Sequence, residues 1–87
     1  MAEQFEITIV YGTNKKLTVS DTETIGDVKV RAMAEFGIPA SEAGQYVLRA
    51  KVDGKEQQLQ EQQTVEQAEL RKHEKVTLAS GTPYGFN

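Results

Sequence analysis

Few side chains in this sequence can take part in chemistry, and their placement limits what they could do. The single histidine, His73, sits in the charged run Arg71, Lys72, His73, Glu74. That setting predicts a solvent-facing ring, and one histidine alone cannot hold a metal ion. The chain has no cysteine, so it offers no disulfide framework, no thiolate zinc site and no thioester of its own. No nucleophile paired with a base, no framed carboxylate pair and no phosphate-cradling glycine motif is present. Catalytic residues and metal ligands are therefore both expected to be none, and so are bound cofactors. What remains reactive is a set of amines, Lys15, Lys16, Lys29, Lys51, Lys55, Lys72 and Lys75, whose ordinary fate is to be solvated. The other chemical feature is the C-terminal stretch Ser80 to Asn87, SGTPYGFN. It has no apolar period, and Gly85 lacks the Cβ that would obstruct a narrow channel.

One helix has to anchor whatever positions these groups. In the stretch TIGDVKVRAMAEFG, Thr24 to Gly37, Ile25, Val28, Ala32 and Phe36 recur at spacings of three and four and gather into one apolar stripe. Thr24 followed by Asp27 reads as a capping box. Gly37 suits the left-handed conformation that ends a helix, Ile38 can fold back on the last turn, and Pro39 prevents continuation.

Around it the pattern is that of strands. Phe5, Ile7 and Ile9 alternate with polar residues, Gly12, Thr13 and Asn14 suit a turn, and Leu17 and Val19 resume the alternation, which predicts a hairpin. Ser20 to Glu23 is a short polar loop and Ala40 to Gly44 a small-residue connection. Tyr46, Val47 and Leu48 start a third strand, Asp53 and Gly54 turn it, and Glu56 to Gln60 returns with Leu59 inward. The glutamines from Gln57 to Gln63 read as a solvated edge strand and turn. Thr64, Val65 and Leu70 form a short helical turn, and Lys75 to Ala79 is a last strand with Val76 and Leu78 inward. Strands before and after one helix in the same sheet favour parallel pairing of the terminal strands. The expected class is α+β, a β-grasp with a mixed four- to five-stranded sheet packed on one main helix.

Composition sets the outer limits. Eighty-seven residues make one small domain, and a net charge of −3 with interspersed signs gives no basic face for nucleic acid. No run of about eighteen apolar residues suggests a membrane span, so a soluble, cytoplasmic protein with no membrane partner is expected.

The stretch TETIGDVKVRAMAEFGIP resembles the helix and following turn of ubiquitin in its apolar spacing and its closing Gly37, Ile38, Pro39. TVEQAEL, from Thr64 to Leu70, resembles ubiquitin's later turn, with Val65 and Leu70 where its buried aliphatics stand. The resemblance spans about residues 5 to 85, with a slightly shorter loop before the helix and a longer segment around Glu42 to Val47. It implies a ubiquitin-like domain over residues 1–80 and a flexible tail over 81–87, with Gly85 where ubiquitin has its terminal glycine. Tyr84 departs from ubiquitin's pair of glycines and would serve as a recognition handle.

The compact ubiquitin-like modifiers of bacterial conjugation operons fit this tail best, because several carry residues beyond the glycine. By that resemblance a peptidase removes Phe86 and Asn87, an activating enzyme uses ATP to adenylate the Gly85 carboxylate, and a conjugating enzyme passes the acyl group to target proteins. The chain would be a substrate throughout and an enzyme nowhere. The alternative is a non-covalent ubiquitin-like interaction domain; a sulfur carrier fits less well, since such relatives usually end in a bare glycine pair. Positions aligned with ubiquitin's aliphatic patch are Gly12, Val47, Thr77 and Ala79, of which only Val47 keeps a comparable aliphatic, and Val10, Tyr11 and Val47 are expected to form a smaller replacement.

Overall fold

Alternation becomes pairing at the N-terminus. Strand β1 (Gln4–Tyr11) runs antiparallel to β2 (Thr13–Ser20), with Phe5 opposite Val19 and Ile7 opposite Leu17. The computed structural model describes residues 3–52, 54–73 and 75–81. Gly12, at φ +75°, completes the reversal alone, so Thr13 and Asn14 belong to β2 rather than to the turn.

Helix α1 (Ile25–Glu35) starts and stops where its caps dictate. The Asp27 N–H donates to Thr24 Oγ1 at 3.2 Å. At the other end Gly37 N–H donates to Ala34 O and Ile38 N–H to Met33 O, the paired closure of a Schellman motif around a left-handed glycine. Ile25, Val28, Ala32 and Met33 are fully buried, and Phe36 and Ile38 pack against them. Each large side chain buried this way contributes about 1.5–3 kcal/mol.

The connection after α1 is a 3-10 turn, Ala40–Gln45, and strand β3 (Tyr46–Val52) follows. Strand β4 (Lys55–Gln58) pairs antiparallel with β3, and Leu59 beyond it is buried. A turn from Thr64 leads through a second 3-10 segment, Leu70–Lys72, to strand β5 (Lys75–Ser80). The sheet order is β2-β1-β5-β3-β4, with β5 parallel to β1 and antiparallel to β3. The expected parallel pair of terminal strands is thus present, and the architecture is the ubiquitin-like β-grasp. Ile7, Ile9, Leu17, Val19, Leu48, Ala50, Val76 and Leu78 make the sheet's half of the core, closed from below by Leu59, Val65 and Leu70.

Two polar devices lock the helix onto this sheet. The loop from Glu61 to Val65 runs past the start of α1, where Ile25 N–H donates to Gln63 O at 2.8 Å and Gly26 N–H to Glu61 O at 3.1 Å. These bonds satisfy donors that a helix start otherwise leaves without partners. The second device is Lys29, which is only 2% exposed on the buried face of α1. Its ammonium donates to Glu61 Oε2 at 2.6 Å, to Ala43 O at 2.6 Å and to Tyr46 O at 3.1 Å. Three acceptors match its three donors. Lys29 is therefore no surface amine, and burial removes it from the set of solvated lysines expected from the sequence. Outside the core, Arg71 ties the lower turn to the N-terminus, pairing with Glu3 and Asp21 and lying 4.4 Å from the Phe5 ring centre.

The turn from Thr64 carries a reciprocal capping box: Gln67 N–H donates to Thr64 Oγ1 at 3.1 Å, and Thr64 N–H to Gln67 Oε1 at 3.0 Å. It ends at Glu69, which holds a left-handed conformation at φ 56°, ψ 41°. For a residue with a branched-free but bulky side chain that conformation costs about 1–2 kcal/mol.

Two stability outcomes follow from these sites. Lys29→Ala, which strands the Glu61 carboxylate and two carbonyls, should cost about 3–5 kcal/mol in urea denaturation, and Glu61→Gln, which keeps an acceptor oxygen, should cost less. Glu69→Asn, a residue that enters the left-handed region more readily, should raise stability by about 0.5–1 kcal/mol in the same assay. A loss of stability in Glu69→Asn would mean that the Glu69 side chain matters more than its backbone.

Candidate interaction surface

The most accessible recognition element is the outer edge of the sheet. Strand β2 is eight residues long, borders β1 alone, and contains neither proline nor glycine. Its register assigns each backbone group a direction. Asp21 N–H donates to Glu3 O across the hairpin at 3.1 Å, so the bonded pairs recur at every second position, through Phe5 and Val19 to Ile9 and Lys15. Asn14, Lys16 and Thr18 consequently aim their N–H and C=O groups away from β1. Thr18 O confirms the direction, because it accepts from Arg31 Nη2 at 2.7 Å. An edge of this length with unpaired amides can accept an added strand.

Basic side chains flank that edge. Lys15 reaches over the Phe36 ring, 5.4 Å from its centre, and donates to Glu35 O at 2.7 Å, the cation lying at the carbonyl end of α1 where the helix dipole favours it. Lys16 projects to the opposite side of the sheet. Arg31 is gripped by both carboxylate oxygens of Glu23, at 2.6 and 2.7 Å, which fixes the guanidinium beside the strand. Two adjacent lysines on one edge repel a second copy of the same edge. They favour a strand that brings carboxylates.

The fold gathers four of the residues expected to form a partner patch on one sheet face, Val10 across from Thr77 and Val47 across from Ala79, and sets Tyr11 on the other. Tyr11 is 37% exposed at the hairpin end, where it meets Phe36 at 5.4 Å and Tyr46 at 6.0 Å between ring centres, both edge to face. Its hydroxyl lies 3.5 Å from that of Tyr46. That hydrogen bond, then burial, raises the Tyr46 phenol above its ordinary value. Val10, Thr77 and Ala79 are half-buried on the face away from α1. Val47 corrects the expectation of an aliphatic patch: it is 1% exposed. Gly81, held by its N–H to Gln45 O at 3.0 Å, lies so close that a Cβ there would meet Val47 Cγ2 at 3.3 Å. Val47 thus has Gly81 packed against it. His73 is half-buried rather than freely solvated, its N–H donating to Leu70 O at 2.9 Å. Tyr84, Gly85, Phe86 and Asn87 lie outside the described residues.

The β2 edge was missed as a site because a sequence gives strands without their neighbours. Lys15 and Lys16 stand out only as amines, and Arg31 only as the polar side of a helix. The usable signal was the period of two in β2, which places both lysines on a strand; that the strand is an edge follows from the order of the sheet. Among the described residues no group of three or more histidine and carboxylate side chains could hold a metal ion, and no helix is long and apolar enough to cross a membrane.

No curated protein matches the chain. Its sequence does match the family described as the Ras association (RalGDS/AF-6) domain, over residues 4–78, from the first residue of β1 to Leu78 near the end of β5. That span takes in α1, the β2 edge and the sheet up to the last two residues of β5, in a family whose fold is ubiquitin-like and whose members are interaction domains. This chain belongs to the Ras association domain family.

Proposed function

We propose that the chain is a non-covalent docking domain for a Ras-like GTPase and that it binds through the β2 edge. The observation that carries this reading is the family match over residues 4–78. The geometry supports it, since Asn14, Lys16 and Thr18 direct backbone groups outward, of which Thr18 O is taken by Arg31, and Lys15, Lys16 and Arg31 border them with basic side chains. In the complex an extended segment of the GTPase adds a strand beside β2, and its carboxylates face these cations. Switch segments of such GTPases are ordered by the γ-phosphate and released on hydrolysis. A domain that adds a strand to an ordered segment therefore discriminates the GTP form from the GDP form, and the partner's nucleotide, not this chain, supplies the switch.

A second reading, a covalent modifier acting through Gly85, rests on the tail's resemblance to ubiquitin alone. The family match stops at Leu78, before the tail begins. Intact mass of the protein from its native host separates the two, because a chain ending at Gly85, or adducts joined through it, belongs only to the modifier.

Titration of the protein with a Ras-family GTPase should show binding to the form loaded with a non-hydrolysable GTP analogue and at least about tenfold weaker binding to the GDP form. Lys15→Glu with Lys16→Glu should weaken the GTP-form complex by more than about tenfold and flatten its salt dependence. Lys16→Pro removes an outward N–H without touching the bonds to β1, and should weaken binding further than Lys16→Gln, which removes only the charge. Equal effects of those two substitutions would exclude strand addition.

A further inference from the structure

The sheet face opposite α1 carries a second charged feature, separate from the backbone edge. Lys16 stands across from Thr8, and Thr8 across from Lys75 on the neighbouring strand. One step beyond the Ala50–Val76 pair, Lys51 on β3 falls beside Lys75, and Lys51 in turn faces Glu56 on β4. Three ammonium groups therefore cross the sheet in one row. Arg49 lies in the next row, across from Thr77. The row opens into a concavity of about 710 Å³ whose walls include Lys51, Lys72, His73, Lys75 and Thr77. Among the described residues Lys51 and Lys75 form no ion pair, and Lys72 pairs with Glu69 at 3.3 Å in an exposed contact. In a chain whose net charge is −3, this concentration of cations is a segregation of charge onto one face.

We propose that this face is a second docking surface, and that its occupant is an extended acidic segment of a protein partner. The spacing fits such a segment. Neighbouring strands lie about 4.8 Å apart, so the row from Lys16 to Lys51 covers about 14 Å, and an extended chain repeats its side chains on one face every ~6.7 Å. Carboxylates four residues apart, about 13 Å, match the span from Lys16 to Lys51, and one between them falls within about 3 Å of the place of Lys75, within reach of a flexible lysine side chain. A membrane is a poorer occupant, because among the described residues the exposed large hydrophobic side chain is Tyr11, which packs on Phe36 at the helix side and cannot insert from this face. Single-stranded nucleic acid is poorer too: among the described residues the rings of Tyr11, Phe36 and Tyr46 cluster with one another, away from the lysine row, and of the aromatic rings only that of His73 lines the concavity. Since the face and the β2 edge share only Asn14 and Lys16 at their border, an acidic segment and a GTPase bind together.

The test uses the full chain and a synthetic peptide of alternating glutamate and serine, about eight residues long and about 26 Å when extended. Amide resonances of Lys51, His73, Lys75 and Thr77 should shift saturably, and affinity should fall steeply as salt rises. The triple variant Lys51→Gln, Lys72→Gln, Lys75→Gln, all at exposed positions, should weaken the peptide by more than about tenfold while keeping GTPase affinity within about twofold. Glu56→Lys, which removes the one carboxylate in the row, should tighten the peptide several-fold. Shifts confined to β2, or affinity unchanged in both variants, would overturn the proposal. So would the absence of peptide binding alongside lysine-dependent binding to phosphatidylserine vesicles or to a single-stranded oligonucleotide.

Discussion

The buried ammonium of Lys29 is the interaction on which the arrangement of this domain depends. A charge taken out of water at this depth is tolerated only when each of its hydrogen atoms finds an acceptor. Here the acceptors come from three separate parts of the chain: the 3-10 turn after α1, the first residue of β3 and the loop at Glu61. Glu61 is bound to α1 twice, since its carbonyl takes Gly26 N–H while its carboxylate takes Lys29. Apolar packing alone would let the helix rotate or slide over the sheet at modest cost. The lysine admits one position, and through that position it fixes where Arg31 and Phe36 stand relative to β2.

The parts of this fold that are visible in sequence are those decided by neighbours along the chain. Thr24 and Asp27 mark the helix start, and Gly37 with Ile38 marks its stop, because each bond there spans only a few residues. Strand alternation is equally local, and the parallel pairing of β1 with β5 follows from placing one helix between strands of one sheet. What stayed hidden depends on distant contacts. Lys29 reads as a surface amine until Ala43 and Glu61 arrive beside it. Val47 reads as an exposed aliphatic until Gly81 closes over it. The same limit concealed the β2 edge, since only the completed order of strands reveals which one has a free side. The resemblance to ubiquitin identifies the fold through the helix and the turn at Thr64, whereas the reading of function from Gly85 relies on residues beyond the span of the family match.

Structure and recognition are divided between two kinds of polar group. Lys29 and Glu61 are consumed internally and contribute nothing to a partner. Lys15 is held at the rim of the helix by Glu35 O and the Phe36 ring, and Arg31 by the Glu23 carboxylate and Thr18 O, contacts that orient them without burying them. Such side chains lose less freedom on binding than free ones do, so more of the electrostatic attraction appears as affinity. An acidic chain can therefore present a basic edge: the positive groups are few, but they are placed.

Strand β5, the last strand of the sheet in chain order, lies at its centre between β1 and β3. During synthesis the hairpin, the helix and the β3–β4 pair can each appear on leaving the ribosome, yet they have no shared sheet until Lys75–Ser80 emerges. Until then β1 and β3 both expose an unpaired side next to apolar residues that later face the core. The nascent protein is therefore most vulnerable to mispairing just before its final strand appears. Folding is completed by insertion into a waiting gap, which makes the domain an all-or-none product of translation and leaves any chain halted before Val76 open to quality control.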